Sequence, residues 1–396
     1  MTATAVPGLA SLLSDEGWAY ASLPPQEPGD LGRFHALFGR DSLITALQVL
    51  PAAPDVARET LRALAARQGS RVDPATEEEP GKILHEWRPQ APTWLLDIGM
   101  PVRDGALLYY GSADATSWFL VVLATLNDAG LAHELEPAWR AAAGWLAAAL
   151  DAGNGLVRYG PAERRGLVQQ GWRDSPAPVT EHPDGGGILR PDGTEPTAPL
   201  ADADCQAVAV AALDALTSLD PDGDWHERAA ALRARVSGAF VPLEGDDWPM
   251  ALEGHDTPVA GAGSQLGWLL WAQALDGDAA TRAAERLSAP DVLTDHGLRT
   301  LSSDHSVFYP EGYHRGAVWP FDSWLGWGGL LAAGRRAEAE RVRSGVLATL
   351  ERLGRAPELY AVTRAGELQP IAVANRVQAW TVGARWALTH GWTGRR

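Results

Sequence analysis

The chain has 396 residues, with 33 basic against 50 acidic side chains, a formal net charge of -17, and 46% hydrophobic residues, seventeen tryptophans among them. Acidic charge on this scale disfavours nucleic acid and anionic membrane surfaces, which are bound through Lys and Arg, and leaves small neutral or cationic partners. The single Cys205 excludes an intrachain disulfide and a CxxC metal site, so a reducing, cytoplasmic setting is expected.

The N-terminal stretch MTATAVPGLASLL has no basic residue before its apolar part. The longest apolar run, Trp118 to Ala124, is far below the roughly 18 residues of a membrane span. A soluble, unprocessed protein is expected, and without a Ser/Gly-rich linker it reads as one domain over 1–396. Apolar residues recur at helical spacing among Ala, Leu, Arg and Glu. In chain order the pattern predicts helices over 41–50, 54–68, 113–129, 135–151, 204–219, 224–239, 263–276, 278–288, 320–333, 335–353 and 375–390, with a twelfth over 5–15.

Short joints fall near 51–53, 130–134, 220–223, 277 and 334, whereas long Gly- and Pro-rich segments cover 16–40, 69–112, 152–203, 240–262, 289–319 and 354–374. Long loops inside a compact domain are usually functional. The alternation implies an all-α fold, a closed ring of six helical hairpins with the long loops on one rim. An α-solenoid would show a fixed-period repeat, and none is present.

The nucleophile and cofactor signatures GxSxG, HExxH and CxxC are absent, and Gly81-Lys82 lacks the rest of a phosphate loop. Asp220, Asp222 and Asp224 imitate a calcium loop but lack its twelfth-position Glu, which leaves a hairpin turn with a helix cap. No metal and no cofactor is expected. The long loops instead carry carboxylates beside aromatic residues and Arg, as in Gln170-Gly171-Trp172-Arg173-Asp174-Ser175 and Pro357-Glu358-Leu359-Tyr360. Two carboxyl groups across a pocket suit glycosidic hydrolysis, one protonated to donate to the leaving oxygen and one ionised on the opposite face. The 17 Trp outnumber the 7 Tyr and 6 Phe together, and indole faces stack on sugar rings; about a third of them are expected at the rim.

Several blocks together resemble the amylo-α-1,6-glucosidase domain of glycogen-debranching enzymes, especially the bacterial debranching-like proteins. They are Phe38-Gly39-Arg40-Asp41-Ser42-Leu43-Ile44, Glu78-Glu79-Pro80-Gly81-Lys82-Ile83-Leu84-His85-Glu86, Tyr109-Tyr110-Gly111-Ser112-Ala113-Asp114-Ala115-Thr116, the Gln-Gly-Trp-Arg-Asp-Ser block, Gly297 to Ser302, Tyr313 to Pro320, Pro357-Glu358-Leu359 and Gln378-Ala379-Trp380. The resemblance spans nearly the whole chain and implies an (α/α)6 toroid and an inverting glycoside hydrolase that releases glucose from α-1,6 linkages, with an oligosaccharide or a small α-glucoside as partner.

Residue by residue, Asp174 matches the family's general acid and Glu358 its general base, with Glu86 the runner-up base. Read without the family, Asp174 equally caps a turn with Ser175, and Glu358 equally begins a helix. Inversion requires the two carboxyl groups about 6.5 to 9.5 Å apart, and an apolar wall such as Trp172 would raise the pKa of Asp174. Arg40 and Asp41 correspond to contacts with glucose hydroxyls, though Asp41 and Ser42 equally cap a helix, as does Asp114. Trp87, Tyr110 and Arg173 complete the expected substrate contacts, with Tyr313, His314 and Trp319 as an aromatic wall. Lys82 is the one lysine beside 32 arginines, and is expected as a buried or active-face contact to Glu78, Glu79 or Asp114.

The chain departs from its relatives in having no β-rich domain before the barrel and no transferase, and in a polar insertion around Glu181-His182-Pro183-Asp184-Gly185-Gly186-Gly187. Asp204 stands where a Glu is expected, and Phe321 where relatives often carry a polar residue. These changes favour a smaller substrate, and related hydrolases act on trehalose, glucosylglycerate or mannosylglycerate. A non-catalytic glycan-binding protein is the other class. The oligomeric state is not legible.

Overall fold

The computed structural model describes residues 5–25, 32–162, 166–179, 182–244, 247–372 and 374–395; Glu181 of the insertion lies outside them. The longer helices form close to where the apolar period places them, and two short ones, over 93–97 and 129–134, fall where none was expected. They are α1 (Gly39–Val49), α2 (Pro54–Ala65), a short α3 (Thr93–Asp97), α4 (Ala115–Leu126), α5 (Ala129–Glu134), α6 (Glu136–Ala152), α7 (Ala203–Leu219), α8 (Trp225–Ala239), α9 (Gln265–Trp271), α10 (Gly277–Leu287), α11 (Pro320–Ala332), α12 (Arg336–Leu353) and α13 (Ala379–His390).

The helices fall into two physical types. Every residue of α1 and α9 is buried, as are nearly all of α4 and α11, so these helices are apolar around most of their circumference and have neighbours on every side. By contrast α2, α6, α8, α10 and α12 bury one stripe and give the other to charged residues, as with Arg58, Glu59 and Arg62 on α2. The contacts of the first type run in a cycle. Helix α1 packs on α4, α4 on α7, α7 on α9, α9 on α11, α11 on α13, and α13 again on α1. The amphipathic helices lie against this cycle, α2 on α1, α6 on α4, α8 on α7, α10 on α9 and α12 on α11.

Three expectations need correction. The segment 5–15 forms only a 3-10 turn, Ala10–Leu12, because Pro7 and a left-handed Gly8 (φ 84°) interrupt it. Val6, Leu9 and Leu12 are nevertheless buried in the main core. The helix expected over 113–129 stops at Asn127, which takes a left-handed conformation (φ 56°), and the Asp128 side chain then caps α5. The fold is helix-rich rather than all-α, since each long segment carries short strands. The strands are β1 (Leu37–Phe38), β2 (Glu86–Arg88), β3 (Val102–Arg103), β4 (Ala106–Tyr109), β5 (Leu200–Asp202), β6 (Pro249–Glu253), β7 (Thr257–Ala260), β8 (Leu293–Thr294), β9 (Gly297–Leu298), β10 (Tyr360–Val362) and β11 (Leu368–Pro370). They pair antiparallel in the orders β1-β2-β4-β3, β5-β6-β7, β8-β9 and β10-β11. Runs of two to five residues are too short for a period of two to stand out in the sequence. Among the described residues no helix is long and apolar enough to cross a membrane.

Helices α9 and α11 cross through facing glycines. A Cβ on Gly267 would stand 2.5 Å from the Gly326 Cα, and one on Gly329 2.3 Å from the Gly267 carbonyl oxygen. Gly267→Ala is therefore expected to cost about 1–3 kcal/mol in urea unfolding through forced separation of the helices. Gly144→Ala, on α6 where a Cβ meets nothing within 4 Å, is the control. It should be neutral or stabilise by about 0.5–1 kcal/mol.

Candidate active site

The helices of the inner cycle bring their first residues together. Phe38 precedes α1, Asp114 α4, Asp202 α7, Ser264 α9, Trp319 α11 and Gln378 α13. Neighbouring starts are tied by polar contacts. Arg40 Nε donates to Asp114 Oδ2 at 2.7 Å, and Arg173 joins Asp204 Oδ2 (2.8 Å) to Ser264 Oγ (2.9 Å). Trp268 Nε1 donates to Asp322 Oδ1 at 2.6 Å, and Gln378 Nε2 to Asp41 Oδ2 at 3.3 Å. Asp41, Asp204 and Asp322 each lie in a first turn, where the free N–H groups and the positive end of the helix dipole favour a carboxylate.

Beside these starts is a solvent-open cleft of about 510 Å³. Its polar lining includes Arg40, Asp41, Asp174, Glu358 and Gln378. Asp174, 24% exposed into the cleft, accepts Arg40 Nη1 at 3.1 Å. Burial raises its pKa to about 6, against the opposing pull of Arg40. Glu358 comes from the loop before β10; the Tyr313 hydroxyl donates to its Oε1 and the Asn375 backbone N–H to its Oε2 at 3.2 Å. Burial pushes it to about 7 even against those two donors. Asp41 is raised further, to about 8, again chiefly by burial. A single guanidinium serves this group, and it is already shared between Asp114 and Asp174.

The walls are aromatic. His314 stacks on Trp319 (5.5 Å between centroids, 12° between planes), and Trp172 stacks on Trp268 (5.9 Å, 4°). Trp319 Nε1 donates to the Tyr313 carbonyl at 2.7 Å, which fixes the wall to the residue that holds Glu358. His314 is held neutral, its pKa well below the usual value, by burial and then by Arg173 and Arg40. His85 is lowered to about 3, by burial first and then by Arg40. The insertion borders this wall: Tyr313 N donates to the Asp184 carbonyl (2.8 Å), and Arg315 Nε to that of Gly185 (2.8 Å).

Of the residues expected here, Asp174, Glu358, Arg40, Asp41, Trp172, Tyr313, His314 and Trp319 line the one cleft. Six others do not. Asp114 is 1% exposed and bonds Arg40 and Ser112 Oγ; its side chain caps no helix. Arg173 is spent on Asp204, the Thr300 carbonyl and Ser264. Glu86 pairs with Arg88 on one face of β2 and is not part of the cleft lining. The alternation of that strand turns Trp87 the other way, under Arg67 (3.7 Å from the ring centroid). Tyr110 is a core residue whose hydroxyl donates to the Arg67 carbonyl at 2.7 Å. Lys82 lines a separate cavity of about 1580 Å³, with Nζ 2.9 Å from Glu79 Oε1 and 3.3 Å from the Glu77 carbonyl.

Phe34, Phe38, His85, Leu167, Gln378 and Trp380 complete the lining and were not expected as contacts. Phe38, His85, Gln378 and Trp380 stand inside the blocks that carry the family resemblance, and three of them lie at the start of a helix, which was the available signal. Three of the seventeen tryptophans, Trp172, Trp319 and Trp380, reach the cleft.

Residues 194–363 match the model of the mannosylglycerate hydrolase MGH1-like glycoside hydrolase domain. The chain is a glycoside hydrolase. No curated protein matches its sequence. In fold the hydrolase is similar to a GH63 mannosylglycerate hydrolase from Thermus thermophilus in complex with Tris and D-glycerate, with a TM-score of 0.70, 18% identity and 98% of each chain covered. The same Thermus enzyme in complex with glucose aligns with a TM-score of 0.69 at 17% identity, over 98% of this chain and 99% of that one. A structure described as a wild-type glycosidase aligns with a TM-score of 0.57 at 16% identity, over 99% of this chain and 96% of the other.

The raised carboxyl groups of the hydrolase have a stability consequence. Folded pKa values above the unfolded ones mean that stability is full below about pH 4 and is lost as pH rises through 6 to 8. Asp41→Asn removes one ionisation while keeping an acceptor for Gln378. In urea unfolding it should be more stable than the wild type by about 1–5 kcal/mol at pH 8.5 and show no gain at pH 4.

Proposed function

We propose that the chain is a single (α/α)6 barrel that hydrolyses a small α-glycoside with inversion, with mannosylglycerate and glucosylglycerate as first candidates. The observation that carries the proposal is that Asp174 and Glu358, from loops far apart in sequence, line one cleft with a glycone-sized set of polar groups beside them. Asp174 protonates the leaving oxygen, and Glu358, oriented by Tyr313 and Asn375, deprotonates a water on the opposite face of the sugar. Asp41 receives hydroxyls, and Trp319 and Trp172 offer apolar faces to the ring.

A small substrate is favoured over the branched glucan that the motif blocks suggest. The matched domain model and the similar Thermus enzyme carry the name mannosylglycerate hydrolase, and one structure of that enzyme has D-glycerate bound. A purely glycan-binding role has no use for a second buried carboxyl held by two donors in the same cleft as Asp174.

Mannose and glucose release from the two glycosylglycerates, with trehalose, isomaltose, panose and a limit dextrin alongside, tests this reading. Turnover of the small glycosides, lost by about 10²–10⁴-fold in Asp174→Asn and in Glu358→Gln, is the expected result. The β anomer should appear first by NMR. Turnover confined to the α-1,6 glucans would restore debranching, and appearance of the α anomer first would exclude inversion.

The pH profile is a separate check. The productive form has its proton on Asp174 and its charge on Glu358, yet the values of about 6 and about 7 place the proton preferentially on Glu358, because Arg40 pairs with Asp174 and not with Glu358. The expected kcat/KM profile is a bell with its maximum near about pH 6.5. A profile that rises monotonically to pH 9 would mean that Asp174 is not the acid.

A further inference from the structure

Gln378, absent from the expected contacts, sits between the two carboxyl groups that matter most to a bound sugar. It is the residue before α13, with an extended backbone (φ −116°, ψ 137°), and its side chain lines the cleft. Its Nε2 donates to Asp41 Oδ2 at 3.3 Å, and its Oε1 accepts from Asn375 Nδ2 at 2.9 Å. Asn375 in turn donates its backbone N–H to Glu358 Oε2 (3.2 Å) and accepts the Glu358 backbone N–H on its carbonyl (3.0 Å). With Asp41 ionised this orientation is the favoured one, since a flip would set Gln378 Oε1 against a carboxylate. The backbone keeps the pair in register: Gln378 N donates to the Ala356 carbonyl at 2.9 Å, and Thr381 Oγ1 to that of Pro357 at 2.9 Å.

We propose that Gln378, through Asn375, is a positioning residue that couples Asp41, which receives the glycone, to Glu358, which activates the water. The inference rests on the function proposed above and adds to it a physical link between the two halves of the site. Asp41 is 6% exposed and Glu358 2% exposed, so neither is free to find its place by solvation. The remaining charged groups around Asp41 are Arg40, Asp114 and Asp174, and the variants below leave all of them in place. A sugar hydroxyl drawn to Asp41 is thereby referenced to the same frame as the water on Glu358, and misplacement of about 1 Å in such a frame costs up to about 10²-fold.

The test compares Gln378→Leu, which removes donor and acceptor at similar volume, with Gln378→Glu, which keeps the acceptor and has a donor for Asp41 only while its carboxyl is protonated. On whichever glycoside the wild type turns over, Gln378→Leu should lower kcat by about 10–100-fold with KM changed less than about threefold, equally from pH 5 to 8. The deficit of Gln378→Glu should shrink as pH falls from 8 to 5. A purely structural role would lower Tm in both variants without that pH-dependent recovery, and wild-type kcat in both would also overturn the proposal. Crystal structures of the wild type and Gln378→Leu supply a readout that needs no substrate. Movement of the Glu358 carboxyl off the Asn375 N–H supports the coupling; Glu358 and Asp41 unmoved refutes it. Should the wild type turn over no α-glycoside, the hydrolase function proposed above fails, while these structures still decide the coupling.

Discussion

One guanidinium organises this site. Arg40, 4% exposed in the first turn of α1, spends Nε on Asp114 at the start of α4, Nη1 on Asp174, and Nη2 on the Gln170 carbonyl (3.3 Å) and Ser112. A buried cation must have its donors answered, since stripping it of water costs several kcal/mol that only good geometry returns. That requirement ties two helices of the inner cycle to the loop that carries the proposed acid. It also sets the electrostatics of the cleft: the ion pairs of Arg40 go to Asp114 and Asp174, and burial drives Asp41, against the pull of Arg40, and Glu358 towards their neutral forms.

The same geometry explains how so many carboxyl groups can be buried together. The inner helices start where the long segments gather, and Asp41, Asp204 and Asp322 each sit in a first turn, at the positive end of a helix dipole. Indole and phenol donors answer much of what remains, as Trp268 does for Asp322, Tyr313 for Glu358 and Tyr159 for Asp202 (2.5 Å). Aromatic side chains thus supply donors as well as walls, which accounts for tryptophans that never reach the cleft. The folded state tolerates a set of strained protonation equilibria because two of these groups are proposed to move protons.

Lys82 illustrates how a unique residue can mislead. Its singularity in the composition was real, and its partner Glu79 was among those anticipated, but the pair lines a different cavity. Trp87 and Tyr110 misled in the same way: an aromatic residue in a loop has no sequence mark telling a core contact from a sugar contact. In Trp87 the face is decided by the pairing of β2 with β1 and β4, long-range contacts that no local pattern encodes.

The sequence by itself determined the longer helices and the blocks around Arg40, Asp174, Tyr313 and Glu358. These follow from local periodicity and from short runs of chemically distinctive residues, both of which survive in one dimension. Only the tertiary structure decided that Glu358 rather than Glu86 shares the cleft with Asp174, that Asp114 and Arg173 are buttresses, and that Gln378 links Asp41 to Asn375. Each of those outcomes depends on which helix start lies beside which. That arrangement comes from closing a cycle of contacts across more than 300 residues, as between Asp41 and Gln378, which lie 337 positions apart in the chain.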